Sequence, residues 1–273
     1  MSYSTLMVHL DLDRSNDARL HVAGELAEHF DARLIGAAAA DIQPLYYMDG
    51  AVAQDLLEDE RTRLKTRIGN CEAQFRQYFK ARANNIEWRG ASEFPAEFVA
   101  RNARAADLII VGGQAERPDT TCQIDAGDLA LRAGRPVLVV PSDTEFLKLN
   151  CVVVAWKDTR EARRAVVDAL PLLHKAREVL VVELLEPGED QAAAKTRVDD
   201  VAHWLVRRGI SATSIATKAL VGVTDRLTIM AQDEGAGLIV AGAYGHPRLR
   251  EWAFGGVTRD LLQQQRCCTL LSH

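Results

Sequence analysis

What this chain of 273 residues lacks narrows its chemistry first. It has no basic excess: 33 Lys and Arg stand against 38 Asp and Glu, a net charge of -5. Without a positive field or a long basic cluster, nucleic acid is not an expected partner. No apolar run is long enough to cross a bilayer, and residues 1–8 have no charged segment leading into one. The expectation is therefore no membrane and a cytoplasmic setting. Cysteine is scarce and unpaired. Cys71, Cys122, Cys151, Cys267 and Cys268 are an odd number without Cys-x-x-Cys spacing, which argues against a disulfide framework and against a zinc site. Cys267 and Cys268 are adjacent, so a strand there sends them to opposite sheet faces as small buried hydrophobes. Three catalytic signatures are missing as well: the Gly-x-x-x-x-Gly-Lys-[Ser/Thr] loop, the Gly-x-Ser-x-Gly elbow and the full dinucleotide glycine pattern.

What is present is a globular composition, 48% hydrophobic and 26% charged, in a chain long enough for one large domain or two ordinary ones. Strand-like and helix-like segments alternate, which predicts an α/β fold with a parallel sheet and helices on its faces. In the first half the spacing predicts strands at 5–12, 32–40, 86–89, 108–112 and 136–140. Helices are predicted at 16–30, 54–82, 95–105 and 127–133. The long helix carries Leu57, Leu64, Ile68, Cys71, Phe75 and Phe79 as an apolar stripe, with a solvated charged face around 58–67.

The second half repeats the order: strands at 151–156, 178–185, 212–217, 238–242 and 267–271, with helices at 160–174, 191–208, 223–233 and 257–264. Val198, Val201, Ala202, Leu205 and Val206 predict one apolar face of its long helix. Ala106-Asp-Leu-Ile-Ile-Val-Gly112 echoes Ala236-Gly-Leu-Ile-Val-Ala-Gly242, and Asp128-Leu-Ala-Leu echoes Asp260-Leu-Leu-Gln. The polar stretch 141–150 marks the division, giving domains 1–145 and 146–273. Strands 136–140 and 267–271 are apolar throughout or alternately, so an exposed edge there invites aggregation; pairing of the two halves through them is expected. A homodimer of whole chains stays open.

The strongest functional signal is the loop after the strand at 238–242. Gly242-Ala-Tyr-Gly245 is followed by nine residues and then Gly255-Gly256-Val-Thr258 at a helix start. Such a loop can aim several backbone N–H groups at one anion, or can simply provide a turn that needs positive φ. Arg248 and Arg250 lie inside it, as phosphate partners or as solvated loop charges. His246 has a near-neutral ordinary pKa, but no nucleophile stands at a spacing that defines a triad, and it reads as a loop polar residue. Trp156, at a strand end, is read as an adenine platform or as core packing. Asp11 and Asp13 share a face and could hold a divalent ion; capping and solvent exposure is the favoured reading.

Tandem units of about 140 residues, with Gly-x-x-Gly, nine residues and Gly before the last helix, resemble the universal stress protein family in its tandem-domain form. The resemblance covers nearly the whole chain. It implies two open twisted five-stranded parallel-sheet domains with helices on both faces, of the adenine nucleotide alpha hydrolase-like, Rossmann-like kind. It also implies a stress-response module that binds ATP or a related adenine nucleotide, with magnesium accompanying it. By position, Gly242, Gly245, Gly255, Gly256 and Thr258 would surround the triphosphate, and Ala155, Trp156 and Lys157 would lie near the nucleoside.

Two departures qualify the resemblance in the second half. Gly256 stands where the family has Ser or Thr, and Lys157 where it has Asp; an ammonium cannot accept a hydrogen bond from ribose but can attract phosphate. In the first half Asp13 fits the Asp position, yet Gly113-Gln-Ala-Glu116 breaks the glycine motif and Ile124-Asp125 replace the later glycines. A competent nucleotide site is therefore expected in the second half only. Two rivals stand beside this: a nucleotide-independent interaction or dimerisation protein, and a weak ATPase.

Overall fold

A computed structural model describes residues 2–42, 51–80, 85–113, 123–219, 222–243, 256–264 and 266–273. The strands are β1 (Thr5–His9), β2 (Arg33–Ala39), β3 (Ile86–Ala91), β4 (Leu108–Gly112), β5 (Val137–Val140), β6 (Cys151–Ala155), β7 (Glu178–Leu185), β8 (Ala212–Lys218), β9 (Leu238–Gly242) and β10 (Cys268–Ser272). The helices are α1 (Asp17–Phe30), α2 (Ala51–Phe79), α3 (Pro95–Asn102), α4 (Ala126–Ala133), α5 (Arg160–Leu173), α6 (Gln191–Val206), α7 (Val223–Asp233) and α8 (Gly256–Gln264). All ten strands form one sheet in the order β3-β2-β1-β4-β5-β10-β9-β6-β7-β8.

Within each half every pair is parallel, and the two halves meet where β5 and β10 run antiparallel, with Leu138 opposite Leu270. The expected pairing of the last strands is thus present, and it fuses the two five-stranded sheets into a continuous one. Helices cover both faces, which is why the central strands read as unbroken apolar runs such as Val152-Val153-Val154. Alternation along each strand supplies both cores. Leu6, Val8, Val152, Val154 and Leu270 pack with α1, α2, α5 and α6. Met7, Ile109, Val153, Ile239 and Leu271 pack with α3, α4, α7 and α8.

Local chemistry sets the helix ends. Asp125, Thr159 and Asp190 cap α4, α5 and α6 by accepting from backbone N–H groups of the first turn, and Pro95 opens α3. Gly134 ends α4 at φ 59, a left-handed position that glycine adopts without a Cβ clash.

The apolar stripe of α2 is buried at Leu64, Cys71, Phe75 and Phe79. The α2 helix ends at Phe79 rather than at 82, and β10 sits one residue later than the alternation predicts. Val206 is 50% exposed, so it leaves the predicted face of α6: one residue past the buried Leu205, it is rotated about 100° around the axis. Cys268 packs into one core and Cys267 against the other, on opposite faces as expected. Burial raises both thiols, to about 11 for Cys267 and about 12 for Cys268, which keeps them protonated. No described helix is long and apolar enough to cross a membrane.

Candidate functional site

Strand order reverses between β1 and β4 in one half and between β6 and β9 in the other. In open α/β sheets the crevice beyond the carboxyl ends of such strands is the ordinary ligand position. The two crevices can be aligned residue by residue. The N–H of Leu10 donates to Ala37 O at 2.8 Å, and that of Trp156 donates to Val182 O at 2.7 Å. His9 lies opposite Ala37, and Ala155 opposite Val182, so the ladder positions match. The next residues, Asp11 and Lys157, are therefore counterparts. This corrects the sequence alignment: Asp13 does not take the Asp position, because the first half has a longer turn before its helix.

The first crevice is filled from within. The Arg19 guanidinium, from the first turn of α1, donates to Asp11 Oδ2 at 2.6 Å and to the His9 carbonyl at 3.0 Å. Both side chains are buried, 5% and 8% exposed. A Cβ at Gly112, the end of β4, would lie 2.3 Å from Arg19 Nη2, so the arginine occupies the space in front of that glycine. Burial opposes ionisation of Asp11, but the charges of Arg19 and His9 and the Arg19 hydrogen bond outweigh it and hold the carboxyl below its ordinary value. Removing one member of such a buried pair costs about 3–5 kcal/mol, so Arg19 stays.

Asp13 pairs with Arg67 of α2 at the surface, away from Asp11's partner. Neither the divalent-ion reading nor solvent exposure holds for Asp11. Among the described residues no group of three or more His, Cys, Asp or Glu is arranged for a metal. At the start of α4, Asp125 accepts from the Asp128 N–H at 2.8 Å, so a carboxylate already sits at this helix start and takes one of the donors that a phosphate would use.

The second crevice is built differently. Gly242 ends β9 against the first turn of α5: a Cβ there would lie 2.5 Å from Ala162 N and 2.6 Å from Glu161 C. Close backbone packing therefore requires this glycine, whatever else its loop does. Among the described residues no guanidinium meets Gly242, since Ala162 stands at the third position of α5 where α1 has Arg19. Helix α8 begins at Gly256 of the glycine motif, and Thr258 in its first turn is 6% exposed.

Lys157 reaches Glu189, in the turn before α6, at 2.7 Å; the side chains are 39% and 34% exposed. A pair this open contributes about 0–1 kcal/mol. Trp156 is 8% exposed in the core beneath α5, and its indole N–H has no hydrogen-bond partner among the described residues. Ala155 lies half-buried at the end of β6. Gly245, His246, Arg248, Arg250 and Gly255 fall outside the described residues.

No family model matches the chain, and no curated protein sequence does. Solved structures do. A universal stress protein from Archaeoglobus fulgidus DSM 4304 superposes with a TM-score of 0.74 at 13% identity, over 98% of this chain and 95% of that one. The chain has the tandem universal stress protein fold. A functionally unknown protein from Pseudomonas aeruginosa PAO1 shares the fold end to end, with a TM-score of 0.63 at 14% identity over 99% of this chain and 92% of that one. A universal stress protein solved in complex with cAMP is similar over 52% of this chain and all 100% of its own, at 22% identity and a TM-score of 0.38.

Proposed function

We propose that the chain is a universal stress protein, divided near residue 145, that holds ATP or a related adenine nucleotide in its second half. The observation that carries this reading is the contrast between the crevices. Arg19 and Asp125 occupy the first with the protein's own charges, whereas the second keeps Gly242 against α5 and starts α8 within the glycine motif. Backbone N–H groups at that helix start favour an anion, and phosphate is the anion that a glycine-rich strand-to-helix loop suits. Magnesium would arrive with the phosphates rather than on a protein cage, since it keeps most of its own waters.

Isothermal titration tests the reading. ATP should bind the wild type, and Gly245→Val should weaken that binding by adding a branched side chain to the loop. Mass spectrometry of ligand released from protein purified without added nucleotide provides a second measure. An empty protein that binds no nucleotide on titration ends the proposal. The Lys157–Glu189 pair favours one alternative, a nucleotide-independent interaction protein whose former ligand position now bonds internally. That outcome would appear as a stable fold with no nucleotide affinity in either half.

A further inference from the structure

Asp11 and Lys157 hold the same ladder position with opposite charge, and each is already engaged by a residue from another element. The Asp11–Arg19 pair is buried, so neither member can leave for a ligand without stranding a charge away from water. The Lys157–Glu189 pair is a third or more exposed at both ends, and water can cover whichever member is released. Glu189 is also held independently of the lysine. One oxygen meets Lys157 and the other accepts from the Glu186 N–H at 2.8 Å, so the carboxylate keeps its place when the ammonium departs.

The surrounding cations are matched too. Arg160 pairs with Glu161, Arg163 with Asp158 at 2.5 Å, and Arg197 with Glu183, whose side chain is 1% exposed. Each of these cations, all among the described residues, already faces a carboxylate. Lys157 stands two residues beyond the end of β6, the strand that pairs with β9.

We propose that Lys157 and Glu189 form a latch on the second-half crevice: a phosphate-bearing nucleotide draws the ammonium off Glu189 as it binds, and an uncharged nucleoside leaves the pair closed. This rests on the nucleotide reading above and adds its control. Glu189 then sets the preference between charged and neutral ligands by holding back the cation and by repelling phosphate.

The test is titration of the full-length wild type, Glu189→Gln, Lys157→Met and Glu186→Gln with ATP and with adenosine. Glu189→Gln should bind ATP about two- to fivefold more tightly, as loss of a half-exposed pair allows, with adenosine affinity unchanged. Lys157→Met should show no such gain. Glu186→Gln removes the same charge three residues from Glu189 at an exposed side chain and should leave ATP affinity at the wild-type value. In the wild type, the carboxyl carbon resonance of Glu189 should shift on addition of ATP and stay put with adenosine. Equal ATP affinity in wild type and Glu189→Gln, or an equal gain in Glu186→Gln, overturns the latch while nucleotide binding stands. Absence of binding in all four proteins overturns both.

Discussion

His9 carries a large pH-dependent cost within the first half. Its ring is buried, with Nδ1 3.6 Å from Asp11 Oδ1 and Nε2 without a hydrogen-bond partner among the described residues. Burial disfavours the imidazolium and, with Arg19 adding repulsion, overcomes the attraction of Asp11, lowering the pKa from 6.5 to about 4. The sign follows from proton counts. Between those values the unfolded chain binds the proton and the folded chain does not, so stability present above pH 6.5 is lost as pH falls toward 4. The loss is on the order of 3 kcal/mol. Urea unfolding of the wild type and His9→Gln at about pH 7 and about pH 4 isolates it from the carboxylates, which titrate in both proteins. The wild type should lose more stability on acidification by that amount; equal losses would show that His9 is protonated in the fold.

At the scale of the element, Gly242 links a strand end to a helix start. Its Cβ would meet backbone atoms of α5 at 2.5 and 2.6 Å, and backbone cannot swing aside as a side chain can. Gly242→Ala should cost about 1–3 kcal/mol of unfolding free energy, through displacement of α5 from β9. An unchanged denaturation midpoint would mean that α5 moves freely. The elements themselves were legible because their apolar spacing is strong: Leu64, Cys71, Phe75 and Phe79 mark one side of α2, and Val152-Val153-Val154 can only be buried on both faces. Charge partnerships were not. Lys157 and Glu189 stand 32 residues apart, and spacing carries no information on which distant charges a fold brings together. Arg19 is hidden for the same reason. It sits beside Leu20 in the apolar register of α1, where only the buried Asp11 accounts for a cation.

For the whole molecule, the antiparallel seam between β5 and β10 decides whether the halves can live apart. All four residues of Val137–Val140 are buried there, and Leu138 and Leu270 face each other at its centre. Contacts beyond the sheet tie the same boundary: Tyr3 Oη donates to the Asp168 carbonyl at 2.6 Å, and the Leu147 N–H donates to Glu25 Oε2 at 3.0 Å. The outer strands differ. β3 and β8 are half-buried, with Glu87 and Arg89 on one and Ser214 and Lys218 on the other, the polar character that keeps a free edge from pairing. Residues 1–145 made alone would expose β5, an apolar edge with none of that protection. This fragment should therefore run as a dimer or larger species in size exclusion with light scattering, joined β5 to β5. Thr, Lys or Pro substitutions that roughen the edge should shift it toward monomer. A soluble monomeric fragment without such substitutions would mean that β5 is shielded by its own half, and that the seam is a contact of convenience rather than a requirement of the sheet.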